Sequence, residues 1–131
     1  MPMPRAPVPG WTVSMNGSFP EPDKFYINFK NNIGDIMLHV STRLNVMNVA
    51  LSVRPSGQSY SGSEYDLDPF PILANQPFMI TIKAVSLFDV QYIVDGKLYI
   101  NHTVPRSLGS VQSASLGDAP TVNALDLWCD A

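Results

Sequence analysis

From residue 11 onward the apolar positions recur mainly at every second residue, and the three-and-four spacing of an amphipathic helix is nearly absent. "KFYINFK" sets Phe25, Ile27 and Phe29 against Tyr26, Asn28 and Lys30. "DIMLHVSTR" sets Ile36, Leu38, Val40 and Thr42 against Met37, His39, Ser41 and Arg43. "NVALSVR" sets Val49, Leu51 and Val53 against Ala50, Ser52 and Arg54, and "PFMITIKAV" sets Phe78, Ile80, Ile82 and Ala84 against Met79, Thr81 and Lys83. Successive side chains of a strand point to opposite faces, so each stretch predicts a strand with one face in a core.

"FDVQYIVDGKLYIN" predicts a hairpin. Phe88, Val90, Tyr92 and Val94 share a face, and Asp95-Gly96 supplies a two-residue turn that needs positive φ. "WTVSMNG" predicts a short strand ending in a turn at Asn16-Gly17, and "NNIGD" a turn. "RPSGQSYSGSEYDLDP" reads as a long polar loop with a short strand around Ser63 to Leu67. "SVQSASLGD" and "TVNALDLW" close the chain as two further strands. About ten short strands separated by Gly, Pro, Asn and Asp predict an all-β antiparallel sandwich or barrel. Residues 1–10, with Pro2, Pro4, Pro7 and Pro9, predict an extended arm, which leaves 11–131 as one domain.

The chain has 131 residues, enough for one core without a metal or a disulfide. Hydrophobic residues make up 45% and charged residues 15%, with a net charge of -3. No basic patch is present to neutralise phosphates, which disfavours nucleic acid as a partner. Cys129 is the single cysteine, so no internal disulfide forms, and nothing in "LWCDA" activates the thiol. The N-terminal stretch lacks a signal-peptide core, and no run of 18 apolar residues predicts membrane insertion. The sequons at Asn16 and Asn101 then read as chance matches.

Catalysis finds little support. His39 and His102 are the only histidines, and they fall on or beside different strands. No G-x-S-x-G, H-E-x-x-H or C-x-x-C occurs. Histidine and cysteine are too few for a zinc cluster, and Asp66 and Asp68 lack a glycine-bearing calcium loop. The sequence therefore predicts a non-enzyme without a cofactor. What stands out is the polar side of "DIMLHVSTR". His39, Ser41 and Arg43 project from one face at steps of roughly 7 Å, a spacing that suits one or two sugar rings. On the next strand Ala50, Ser52 and Arg54 point the same way. Arginine offers forked donors, histidine an orientable donor or acceptor, and serine a small hydroxyl. Tyr60 would give the apolar C–H face of a sugar a ring to pack on, and Glu64 would accept bonds from hydroxyls and from Arg43. The competing interpretation is an ordinary solvated strand face.

These stretches together resemble the galectins. "PGWTVSMNGSF" is similar to the opening strand and turn of that family, and "FYINFK...GDIMLHVSTRL" to its strand, turn and H-x-N-P-R strand. "QPFMITI", "FDVQYIVDGKLYINHTVP" and "LGSVQSASLGD" resemble its later strands in order. The resemblance implies a jelly-roll-like two-sheet sandwich that binds β-galactosides on the concave sheet face. His39 and Arg43 match the ends of H-x-N-P-R, while Ser41 and Thr42 replace its asparagine and proline. The next-strand asparagine falls at Ser52 or Val53, and alternation favours Ser52. The stacking tryptophan of W-G-x-E-x-R falls near Tyr60 with a one-residue insertion; Glu64 matches the glutamate, and Asp66 stands in place of the arginine.

The resemblance thus implies a lectin of weakened or altered β-galactoside specificity, using His39, Ser41, Arg43, Ser52, Arg54, Tyr60, Glu64 and Asp66. Each hydrogen bond lost to a sugar hydroxyl costs on the order of 1 kcal/mol. The alternative is a galectin-fold protein-interaction module that has lost sugar binding. The partners implied are glycans or glycoproteins, with a homodimer left open, and the location implied is cytoplasmic, with export lacking a signal peptide also open.

Overall fold

A computed structural model describes residues 12–18, 24–55, 57–117 and 126–130, with Leu116 and the last segment described by backbone alone. The expected proline-rich arm, Trp11 and the side chains of Trp128 and Cys129 lie outside what is described.

The described residues form ten strands and one short 3-10 turn at Leu108–Ser110. The strands are β1 (Thr12–Gly17), β2 (Lys24–Lys30), β3 (Ile36–Arg43), β4 (Asn48–Arg54), β5 (Ser61–Asp66), β6 (Phe78–Ala84), β7 (Asp89–Val94), β8 (Lys97–Thr103), β9 (Ser113–Gly117) and β10 (Asp126–Asp130). They build two five-stranded sheets, ordered β5-β4-β3-β2-β9 and β10-β1-β6-β7-β8. Every recorded strand pairing is antiparallel. The alternation predicted an all-β antiparallel sandwich or barrel; the structure is the two-sheet sandwich that the family resemblance implied.

The core lies between the sheets. Phe25, Ile27 and Phe29 of β2 meet Ile80, Ile82 and Tyr92 of the facing sheet, all essentially inaccessible. Thr42 enters this core from β3, where its hydroxyl and the Tyr92 phenol hydrogen-bond at 2.8 Å. Burial holds that phenol's pKa above its usual value, and the bond to Thr42 partly offsets the rise. At the open side of the sandwich the Tyr65 hydroxyl of β5 and His102 Nδ1 of β8 lie 2.7 Å apart, linking an edge strand of each sheet. The Asp95-Gly96 hairpin forms as expected, with φ of 50° and 82°, values that glycine reaches without strain.

Four local readings need correction. β1 runs through Asn16 and Gly17, which pair with Met79 and Phe78 and do not turn. β5 spans Ser61–Asp66, two residues earlier at its start than the loop-embedded strand expected at 63–67. Phe88 precedes β7 and is 44% exposed, so it does not join Val90, Tyr92 and Val94 in the core. The fourth correction is a β-bulge at Met37. The partner sum changes between Leu38 and Ile36 on the β2 side, and between His39 and Ile36 on the β4 side. The extra residue reverses the alternation below it. Met37 therefore joins the core cluster, while Ile36 pairs with Lys30 and Arg54 on the opposite face. Among the described residues no helix is long and apolar enough to cross a membrane.

Candidate functional site

The register turns the outer face of the β5-β4-β3-β2-β9 sheet into a grid of rows, since directly paired residues point the same way. One row holds Asp66, Asn48, Arg43 and Lys24. The next holds Glu64, Ala50, Ser41, Tyr26 and Gly117. The third holds Gly62, Ser52, His39, Asn28 and Ser115. The last holds Arg54, Ile36, Lys30 and Ser113. Seven of the eight residues expected at the site sit on this grid, and Tyr60 immediately precedes β5.

Arg43 is the anchor. Its Nη1 donates to Glu64 Oε1 at 2.6 Å, and its Nε donates to the Ser41 hydroxyl at 3.2 Å. Arg43 belongs to β3 and Glu64 to β5, so the pair reaches across β4, where the intervening residue is the small Ala50. The Arg43 and Glu64 side chains are 30% and 63% exposed. A pair that open to water contributes about 0–1 kcal/mol to stability, so its consequence is orientation: the guanidinium is fixed in position over the sheet.

His39 is held differently. Its Nδ1 lies 2.5 Å from Asn28 Oδ1. An amide oxygen only accepts, so Nδ1 carries the proton and Nε2 is left as an acceptor. Burial, with a smaller contribution from the Arg43 charge, lowers the His39 pKa to about 4, which makes the ring neutral at ordinary pH. The ring centroid lies 4.8 Å from that of Tyr26 and 4.6 Å from that of Tyr60. Arg54 stands over the other end of this series, with its guanidinium carbon 5.4 Å from the Tyr60 ring centre. Ser52 is directly opposite His39, in agreement with the alternation that preferred it to Val53. Asp66 lies in the outermost row, separated from Arg43 by Asn48, and it is Glu64 that takes the ion pair.

Asn28 and Tyr26 were not among the residues expected at the site. Their signal was present, because "KFYINFK" already put both on the polar side of β2; what the linear pattern lacked was the β2–β3 register that brings them against His39 and Ser41. Asn48 is a second omission. Its Oδ1 is buried without a hydrogen-bond partner among the described residues, next to Arg43 on the grid. Among the described residues no three His, Cys, Asp or Glu side chains gather closely enough to hold a metal ion. The face thus presents fixed donors, a neutral acceptor, a carboxylate and aromatic rings, chemistry suited to hydroxyl groups and apolar C–H surface together.

The sequence model of the galactoside-binding lectins matches residues 1–116. Grifin of Rattus norvegicus is 32% identical over 77 residues, which cover 58% of this chain and 52% of that protein, so the match spans about half the length of the relative. The crystal structure of Caenorhabditis elegans galectin LEC-6 matches with a TM-score of 0.79 at 15% identity, over 95% of this chain and 84% of that one. Sheep galectin-11, solved in complex with glycerol, matches with a TM-score of 0.79 at 16% identity, over 98% of each chain. At such identities the two structures speak for the fold alone. With the family match covering most of its length, the chain belongs to the galactoside-binding lectins, the galectins, a family of non-enzymatic carbohydrate-binding proteins.

Proposed function

We propose that this protein binds glycans or glycoproteins non-covalently on the outer face of β3, β4 and β5, with β-galactoside recognition weakened or altered relative to its family. The observation that carries this reading is the Arg43–Glu64 pair, which spans three strands and fixes a donor and an acceptor side by side at 2.6 Å. The remaining guanidinium N–H groups of Arg43 donate to sugar hydroxyls, and the carboxylate of Glu64 accepts from them. His39 Nε2 accepts a further hydroxyl, held in its tautomer by Asn28. Tyr60, 45% exposed, offers the ring on which the C–H face of the sugar packs.

The altered specificity follows from Ser41 and Asp66. The Ser41 hydroxyl already accepts from Arg43 Nε, and the residue is only 5% exposed, so it serves the arginine before it serves a ligand. An asparagine at that position would offer an extra donor and a longer reach. Asp66 contributes a negative charge where the family motif carries a positive one.

One contact favours the rival reading of a protein-interaction module: the Tyr60 ring rests against His39, so a sugar must share His39 with that ring. Titration calorimetry with lactose, preceded by a broad glycan array, separates the two. The lectin reading expects glycan binding that His39→Ala and Arg43→Ala each abolish. Silence across the array favours the interaction module, and equal binding by both variants refutes the site.

A further inference from the structure

We infer that Lys30 and Arg54 form an anion subsite at one end of the glycan face, which takes a sulfate or carboxylate carried by the bound saccharide. The inference rests on the glycan reading above and adds the charge class of the ligand. The bulge at Met37 creates the place: it turns Ile36 onto the outer face, directly between Lys30 on β2 and Arg54 on β4. Adjacent strands lie about 4.8 Å apart, so the two cations flank one apolar residue at a separation that a single anionic group can bridge. Lys30, Ile36 and Arg54, with Gly34 and Gly57, line a depression of ≈ 190 Å³. Among the described residues that line it, two are cations and none is a carboxylate. The nearby Asp35 is already engaged, by Asn31 at 3.2 Å and by Arg106 at 3.5 Å.

Arg54 is held in place. Its Nε donates to the Gln58 carbonyl at 3.1 Å, and its guanidinium lies over Tyr60. The Nε bond uses one of the five guanidinium donors, which leaves the terminal groups for a ligand. The row of Arg54 and Lys30 is one step, roughly 7 Å, from the row of Ser52 and His39. A substituent on a sugar seated at His39 therefore reaches it. On a chain of net charge -3, two cations with no ion-pair partner among the described residues select at this point for an acidic saccharide.

The test is calorimetric titration of the wild-type chain with lactose, with lactose sulfated on its galactose, and with sialylated lactose. The last two present the same negative charge as sulfate or as carboxylate, and their comparison shows which source the subsite takes. At least one acidic ligand should bind about tenfold more tightly than lactose, which is ~1.4 kcal/mol, with the gap closing as salt is raised. Lys30→Gln should cut that preference about threefold and leave lactose affinity unchanged, and Lys30→Arg should retain it. If acidic and neutral ligands bind alike, or Lys30→Gln preserves the preference, the subsite is refuted while the glycan reading stands. If none of the three ligands binds, both fall.

Discussion

The ring of Tyr60 lies 4.6 Å from that of His39, inclined by 44°, and Tyr26 flanks the same histidine at 4.8 Å. The tyrosine just before β5 thus packs on a histidine two strands away. Tyr60→Ala removes both the covering ring and the proposed sugar platform. Aromatic contacts of this kind are worth about 0.5–1.5 kcal/mol, so glycan affinity should fall up to roughly tenfold. In the same variant the His39 pKa should rise toward 6.5, because burial is the main cause of its depression. Titration of the histidine by NMR alongside calorimetry reads both; an unchanged pKa would show that Tyr60 does not shield the ring.

The depressed pKa sets a pH window. His39 titrates near 4 when folded and ordinarily near 6.5. Between these values the unfolded chain holds a proton that the folded chain has released, so stability rises with pH across the window. The contribution is complete above 6.5 and is lost as pH falls toward 4. His102, whose pKa is also lowered by burial, acts in the same direction. Denaturation midpoints measured from pH 4 to 7 should climb, and His39→Gln should flatten the climb. Glycan binding that depends on Nε2 as an acceptor follows the folded value instead, so it should stay level through pH 6.5 and fall only as pH approaches 4.

Thr42 and Tyr92 supply a test of the core. Thr42→Val leaves the buried Tyr92 hydroxyl without its partner, at a cost of about 1–3 kcal/mol. Adding Tyr92→Phe removes the stranded hydroxyl and should restore much of the loss. Chemical denaturation of both single variants and the double variant checks this, and additive losses would mean that the two hydroxyls are not coupled.

Gly62 tests whether β5 must lie this close to β4. A Cβ there would collide with the Leu51 carbonyl oxygen and the Ser52 backbone, so Gly62→Ala forces the strands apart. Overpacking of this kind costs about 1–3 kcal/mol. Because β5 carries Glu64, the variant should also weaken glycan binding without changing any side chain that touches the sugar. Retained affinity would show that the Arg43–Glu64 geometry is not needed.

The antiparallel β class was legible in the sequence because burial of one face writes period two into β2, β4 and β6 with few exceptions, while the choice of sandwich over barrel came from the family resemblance. The polar row of His39, Ser41 and Arg43 was legible for the same reason. The bulge was not, since "DIMLHV" reads as unbroken alternation whether Ile36 or Met37 enters the core; both are apolar, and only pairing with β2 and β4 separates them. Asn28 was missed because a linear pattern identifies faces and not neighbours. Tyr60 was reached from its place beside the polar strands as an aromatic platform, and the family motif fell near it; the ring contact with His39 gives it a physical place.

The central claim is that the outer face of β3, β4 and β5 binds the sugar. Its most direct test is amide chemical-shift mapping of the unmodified protein during titration with lactose. The largest shifts should fall on His39, Ser41, Arg43, Ser52 and Glu64, while Lys83, Gln91 and Asn101 on the other sheet stay unmoved. Shifts concentrated on that other sheet, or none at any lactose concentration up to the limit of its solubility, would contradict the claim.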